Sequence, residues 1–305
     1  MGSASTALNE LIDPAAQLRC LASGFQFTEG PVWNPVEQAL YFSDVAGDAR
    51  WRWTQSTGAE LVRQTTFKAN GMAYDRDGGL LVCEHVTSCL VRFRPDGGVD
   101  RVAYHYKGKY LNSPNDVVVR ASDNSIYFTD PDYGRWNDRI GQERTRELGF
   151  KGLYRVPPDG GEIELLVDED EFDQPNGLCF SPDESLLYVN DTPRARVKVF
   201  DVEVDGSLSS GRVLLGEIGT GVIGEGIVDG MECDEHGNVW VTGPSGLWVI
   251  GPDGEHLGTI DTPEPAGSLA WGGKNLRTLF VATSSTLHAI ETLVASPPLA
   301  FRANG

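Results

Sequence analysis

The chain has 305 residues, with 25 Lys and Arg against 44 Asp and Glu, a formal charge of −19. A surface this acidic lacks the basic stripe that nucleic acid requires and the cationic patch that an anionic membrane surface attracts. Five cysteines stand at 20, 83, 89, 179 and 233, an odd number with no zinc spacing. Cys83, Cys179 and Cys233 lie in apolar runs, where a free buried thiol is the rule and a reducing compartment is expected.

The N-terminal stretch, MGSASTALNELIDPAAQL, has neither the basic nor the apolar region of a signal peptide, so a cytoplasmic location is expected. A short helical pattern, LNELIDPAAQLRCL, is interrupted by Pro14. Residues 1–24 are therefore expected as an extension packing on the outside of one domain that runs over 25–305.

From Glu29 onward one phrase recurs six times: EGPVWNPVEQALYFSDV, NGMAYDRDGGLLVCEH, NDVVVRASDNSIYFTDPD, NGLCFSPDESLLYVNDT, DGMECDEHGNVWVTGP and SLAWGGKNLRTLFVATS. Each opens on a polar residue and reaches an apolar or aromatic one twelve positions later, eleven in the fifth copy. The pairs are Glu29/Tyr41, Asn70/Val82, Asn115/Tyr127, Asn176/Tyr188, Asp229/Trp240 and Ser268/Phe280. After each copy comes another strand-like run, such as ARWRWTQSTG or GLYRVPPDGG, and Asp-Gly turns close several of them. The 36 Gly and 17 Pro suit many strands joined by tight turns. Six repeats of strand, turn, strand, turn, strand, with an outer strand such as VDRVAY or GEIELLV, predict an all-β fold, a six-bladed β-propeller. The longest irregular stretch, residues 132–150, is expected to rim one mouth of it.

Equivalent positions of a propeller form a ring about one axis. The ring here reads Glu29, Asn70, Asn115, Asn176, Asp229 and Ser268. One Asn-Gly at a strand start is an ordinary turn pair, but polar residues in register in six blades point to a site. Glu29 is the most telling, since Glu-Gly-Pro is no standard turn and a converging carboxylate is costly unless paired or metal-bound. Carboxylate and amide oxygens are hard donors, so a divalent cation is expected, calcium first, with magnesium, manganese or zinc as alternatives. His85 ends the second strand of blade two and is a candidate for the same mouth, although a lone histidine is more often a satisfied structural residue. No G-x-S-x-G elbow, H-E-x-x-H or P-loop occurs, so serine hydrolase, zincin and nucleotide hydrolase chemistry lack support.

The motifs EGPVW, SPNDVVV, IYFTDPDYG, ELGFKGLYRV, PNGLCFSPDESLLYVNDT, DGMECDEHGNVWVTGPSGLWVI and LFVATSSTL resemble the senescence-marker-protein/gluconolactonase/luciferin-regenerating-enzyme family, from about Phe25 to Ile290. CEH, FTDPDYG and ELGFKG are most similar to its bacterial gluconolactonase branch. The resemblance implies a six-bladed propeller and a metal held by Glu29, Asn176 and Asp229. It also implies that Asp229 serves as acid/base and that Asn115 is a further active-site residue. Asn70, His85 and Tyr133 are expected to contact substrate. Where the regucalcin branch carries an arginine two positions before the PND asparagine, this chain has Ser113. Where gluconolactonases often carry an asparagine before A-W-G-G, it has Gly267-Ser268-Leu269. The reading is a gluconolactonase-like lactonase, a metal-dependent hydrolase acting on a small-molecule sugar lactone. A phosphotriesterase-like hydrolase of the same fold and a non-enzymatic calcium-binding propeller are the alternatives.

Overall fold

The computed structural model describes residues 4–302 apart from 223 and 225. Its described residues form six four-stranded antiparallel sheets, one two-stranded hairpin (His105–Tyr106 with Lys109–Tyr110) and one α-helix, Ala4–Leu11. Each four-stranded sheet is one blade of a six-bladed propeller. The inner strands, in blade order, are Thr28–Asn34, Ala69–Tyr74, Val117–Val119, Pro175–Phe180, Met231–Cys233 and Ala266–Gly272. Five blades are simple meanders. The sixth takes its outer strand from the other end of the chain, because Arg19–Ser23 pairs antiparallel with Thr286–Glu291. Residues 19–23 of the segment read as an extension thus close the ring. No helix among the described residues is long and apolar enough to cross a membrane.

The repeated aromatic is explained by register. Val32 faces Tyr41, Val118 faces Tyr127, Cys179 faces Tyr188, Glu232 faces Trp240, and Ala270 faces Phe280. Tyr127, Tyr188, Trp240 and Phe280 are fully buried. Period-2 alternation sends one face of every blade toward the preceding blade and the other toward the next. The core is consequently divided into six apolar clusters, one per blade–blade interface. Leu11, the last residue of the helix, and Ile12, just beyond it, pack into the cluster between blades five and six.

At the axis the inner strands are pressed together through glycine. A Cβ on Gly30 would lie 2.2 Å from the Asn70 carbonyl oxygen, one on Gly71 2.6 Å from that of Asn115, and one on Gly177 2.1 Å from that of Asp229. Ring-residue carbonyls at Asn70, Asn176 and Asp229 are gripped by the second strand of the preceding blade. Ser43 Oγ donates to Asn70 O at 2.9 Å and Thr129 Oγ1 to Asn176 O at 2.8 Å, while Asn190 Nδ2 donates to Asp229 O. Gly177→Ala forces backbone apart at this contact, whereas Gly149 has nothing within 4 Å of its Cβ position. In urea titrations Gly177→Ala is expected to lose about 1–3 kcal/mol, the range for overpacking, with Gly149→Ala close to wild type. Equal midpoints for the two variants would remove the close-approach argument.

Candidate active site

All six inner strands begin at the same end of the axis, so the ring residues collect at one mouth. Glu29, Asn70, Asn115, Asn176 and Ser268 are buried, and Asp229 keeps partial solvent contact. Gly267 explains how Glu29 fits: a Cβ there would sit 2.3 Å from Glu29 Oε1, so the carboxylate occupies the space a side chain at 267 would take. Ser113 is buried and structural; its Oγ donates to Pro131 O at 2.7 Å and accepts from the Gly134 N–H at 3.1 Å. It pins the start of the 132–150 loop.

Electrostatics single out the two carboxylates. Desolvation pushes Glu29 well above the usual carboxylate range, and Asp229 and then Asp116 add repulsion against one weak Gly30 N–H contact of 3.3 Å. Asp229 rises to about 7, through desolvation and then Asp116, with the Asn176 amide pulling the other way. Asp116, which sequence reasoning missed, itself rises to about 7 by burial, opposed by the Val117 and Leu178 N–H groups. Among the described residues, no cationic side chain stands among the charges that shift these three groups. The signal for Asp116 was present: the residue after the ring position is glycine at 30, 71, 177 and 230, and aspartate only in blade three.

The asparagines are oriented by their neighbours. His85 is buried, and its Nδ1–H donates to Ile140 O at 2.7 Å. Its Nε2 must then accept, and the partner 3.4 Å away is Asn70 Nδ2. Thr192 Oγ1 donates to Val228 O at 2.7 Å, so its lone pair accepts from Asn176 Nδ2 at 3.1 Å. With one hydrogen of each amide engaged in this way, the Oδ1 atoms of Asn70 and Asn176 accept no hydrogen bond from the described residues. Tyr133 is buried beside the Thr192 hydroxyl; burial pushes it up, the Thr192 hydroxyl offsetting part of this and Asp229 adding to it. The structure thus places Glu29, Asn176, Asp229 and Tyr133 in one neighbourhood. His85 serves Asn70 from behind.

Two uncompensated carboxylates beside amide oxygens suit a hard divalent cation, because the cation removes the repulsion that raises both acids. Glu29, Asn176 and Asp229 would hold it. Among the described residues no three His, Cys, Asp or Glu side chains form a metal cluster, so such a cation depends on the asparagine oxygens. A cavity of about 420 Å³ lies at the opposite mouth, between the inner strands and Ser296, Pro297 and Phe301 of the C-terminal segment.

Burial holds His85 neutral, lowering it to about 4; the Ile140 carbonyl works against this and Arg144 with it. Below the unfolded value near 6.5 the unfolded chain takes a proton that the folded one refuses, so stability falls between pH 6.5 and about 4. Integrated over that window the loss is about 3 kcal/mol. Unfolding free energies of wild type and His85→Asn from pH 4 to 8 check this; the variant should show a flatter acid limb, and superimposable limbs would count against it.

The sequence profile of the SMP-30/Gluconolactonase/LRE-like family matches residues 27–285. A gluconolactonase from Zymomonas mobilis is 32% identical, covering 94% of this chain and 85% of the relative. A pentonolactonase from Haloferax volcanii is 28% identical over 87% and 84% of the two chains. The solved structure of a gluconolactonase from Xanthomonas campestris superposes with a TM-score of 0.84 at 32% identity, over 94% of this chain and 92% of that one. A six-bladed ring of this sequence pattern, matched over nearly its full length, belongs to the SMP-30/gluconolactonase/luciferin-regenerating-enzyme family.

Proposed function

We propose that the chain is a metal-dependent lactonase that opens a sugar lactone, with Asp229 handling the proton. The observation that carries this reading is the oxygen-only face made by Glu29, Asp229 and the outward-tied Asn70 and Asn176. The gluconolactonase relatives support lactone opening as the activity. Calcium is the first candidate for the cation, magnesium, manganese and zinc the others, and the location is proposed as cytoplasmic. When bound, a divalent cation would polarise the lactone carbonyl and acidify a water.

The protein's own contribution is positioning and proton transfer. Asp229 accepts the proton from the attacking water and returns it to the departing ring oxygen. Asn115 and Asn70 hydrogen-bond the substrate, and His85 keeps Asn70 turned the right way. Tyr133 lines the pocket with a hydroxyl that stays protonated at neutral pH, so it donates but does not act as a base.

A lactone panel followed by pH-stat, with and without chelator, tests the activity; opening that chelator abolishes and added cation restores is the expected result. Failure of every lactone with every divalent metal would leave a binding propeller. Asp229→Asn keeps shape and one oxygen but removes the base, and turnover should drop by about 10²–10⁴ without rescue by excess cation. Near-wild-type turnover in that variant would reduce Asp229 to a ligand.

Glu29→Gln removes a formal charge from the expected cation site. Metal content by atomic emission after dialysis should fall well below that of wild type; unchanged content would take Glu29 out of the ligand set.

A further inference from the structure

The 132–150 loop crosses the mouth that holds the ring. Tyr133 stands beside Thr192 of blade four and Asp229 of blade five. Seven residues on, Ile140 O receives His85 of blade two. Arg139 reaches blade one, donating to Gln26 O at 3.2 Å with its guanidinium 5.7 Å from the Phe27 ring centre. Buried Arg135 anchors the crossing by donating to Leu111 O, Asn112 O, Thr145 O and Ser88 Oγ.

Trp136 lies on this crossing and is 45% exposed. An exposed indole ordinarily samples several rotamers, but this one is fixed. Its Nε1–H donates to Asp132 Oδ1 at 2.8 Å, and its ring meets the Tyr133 ring edge-on at 4.8 Å. Asp132 is itself clamped: Gln174 Nε2 donates to its Oδ1 at 2.6 Å, its N–H donates to Gln174 Oε1 at 3.1 Å, and Arg146 Nε lies 3.2 Å from Oδ2. A half-buried ion pair and a reciprocal amide contact thus hold one solvent-facing aromatic ring beside the site. Nothing in the packing of the core requires it.

The geometry points to Trp136 as the platform on which the sugar ring of the substrate stacks, with Asp132 as the positioning residue that locks the indole. The assignment rests on the lactonase reading, since a sugar lactone has the face it needs. One side of such a ring presents C–H bonds and the other groups are hydroxyls. The electron-rich face of an indole attracts polarised C–H and removes that apolar face from water, while the hydroxyls stay free for Asn70, Asn115 and Tyr133. A ring already fixed before binding loses little rotamer freedom on contact.

The test pairs kinetics with a binding probe that undergoes no reaction. With gluconolactone, Trp136→Ala should raise KM on the order of tenfold, the size of one aromatic contact, and leave kcat within about threefold. Trp136→Phe keeps a ring and should stay within about threefold of the wild-type KM. 1,5-Anhydro-D-glucitol has the sugar ring without the carbonyl. It should cause a saturable change in wild-type tryptophan fluorescence that is absent in Trp136→Phe. An unchanged KM in Trp136→Ala, or a fall in kcat with KM unchanged, overturns the platform while lactone opening by wild type still stands. Wild type that opens no lactone, yet binds anhydroglucitol through Trp136, would overturn the lactonase reading and keep the platform.

Discussion

The approach of six inner strands to one axis is the constraint on which everything else depends. Backbone can come this close only where no Cβ intervenes, and Gly30, Gly71, Gly177 and Gly230 supply that absence. The residue before each of them is consequently carried to the axis, and the carbonyls of Asn70, Asn176 and Asp229 face the preceding blade. Second-strand side chains such as Ser43 and Thr129 then bind those carbonyls. Packing and site are therefore one device: the glycines that let the blades close also deliver Glu29, Asn70, Asn176 and Asp229 to a common mouth. Bulges in the register just past Glu29 and Ala69 belong to the same geometry, since the strand must turn to release the ring residue toward the axis.

Closing the ring around carboxylates has an electrostatic cost. Glu29, Asp229 and Asp116 all rise, each first from desolvation; Asp229 and Asp116 then add repulsion at Glu29, and Asp116 adds it at Asp229. Elsewhere in the protein a buried carboxylate is paired, Arg92 Nε lying 2.7 Å from Asp75 Oδ2. Among the described residues no such partner stands at the axis. Acids left raised in this way, in a cleft, are the mark of a functional site more than of a scaffold. The hydrogen bonds from His85 to Ile140 and from Thr192 to Val228 argue the same way, because they decide which end of an asparagine is left free.

The blade count, the ring and the repeated aromatic were readable because each rests on a local pattern repeated six times. Tyr41, Tyr127, Tyr188, Trp240 and Phe280 recur at one spacing since each faces an inner-strand residue across a single ladder rung. Glu29 and Asp229 were readable as members of that series. What departs from the repeat was harder. Asp116 breaks the glycine series in one blade only, so it looked like noise. The outer strand of blade six lies more than 260 residues from its partner, as the Arg19 and Ala289 pairing shows, and no local pattern announces such a contact. The clamp of Asp132, Gln174 and Arg146 joins a loop to the entry of blade four, and loops carry no period to read.

The two mouths of the axis differ in chemistry, and that difference argues for where the reaction takes place. One level past the polar ring the inner strands present Val32, Ala73, Val118, Cys179, Glu232 and Ala270, five weakly polar or apolar side chains and one acid. Glu232 rises to about 8, by burial and then by Asp116, so at neutral pH it is largely uncharged. The cavity of about 420 Å³ at that end is lined by the chain's own Ser296, Pro297 and Phe301 as well as by these inner-strand residues. A polar lactone with an attacking water needs converging oxygens, an ionisable acid and access from solvent. The ring mouth supplies all three, and the Trp136 loop crosses it. The placement of charge and hydrogen-bonding oxygen, not the volume of a cavity, is what favours the ring mouth.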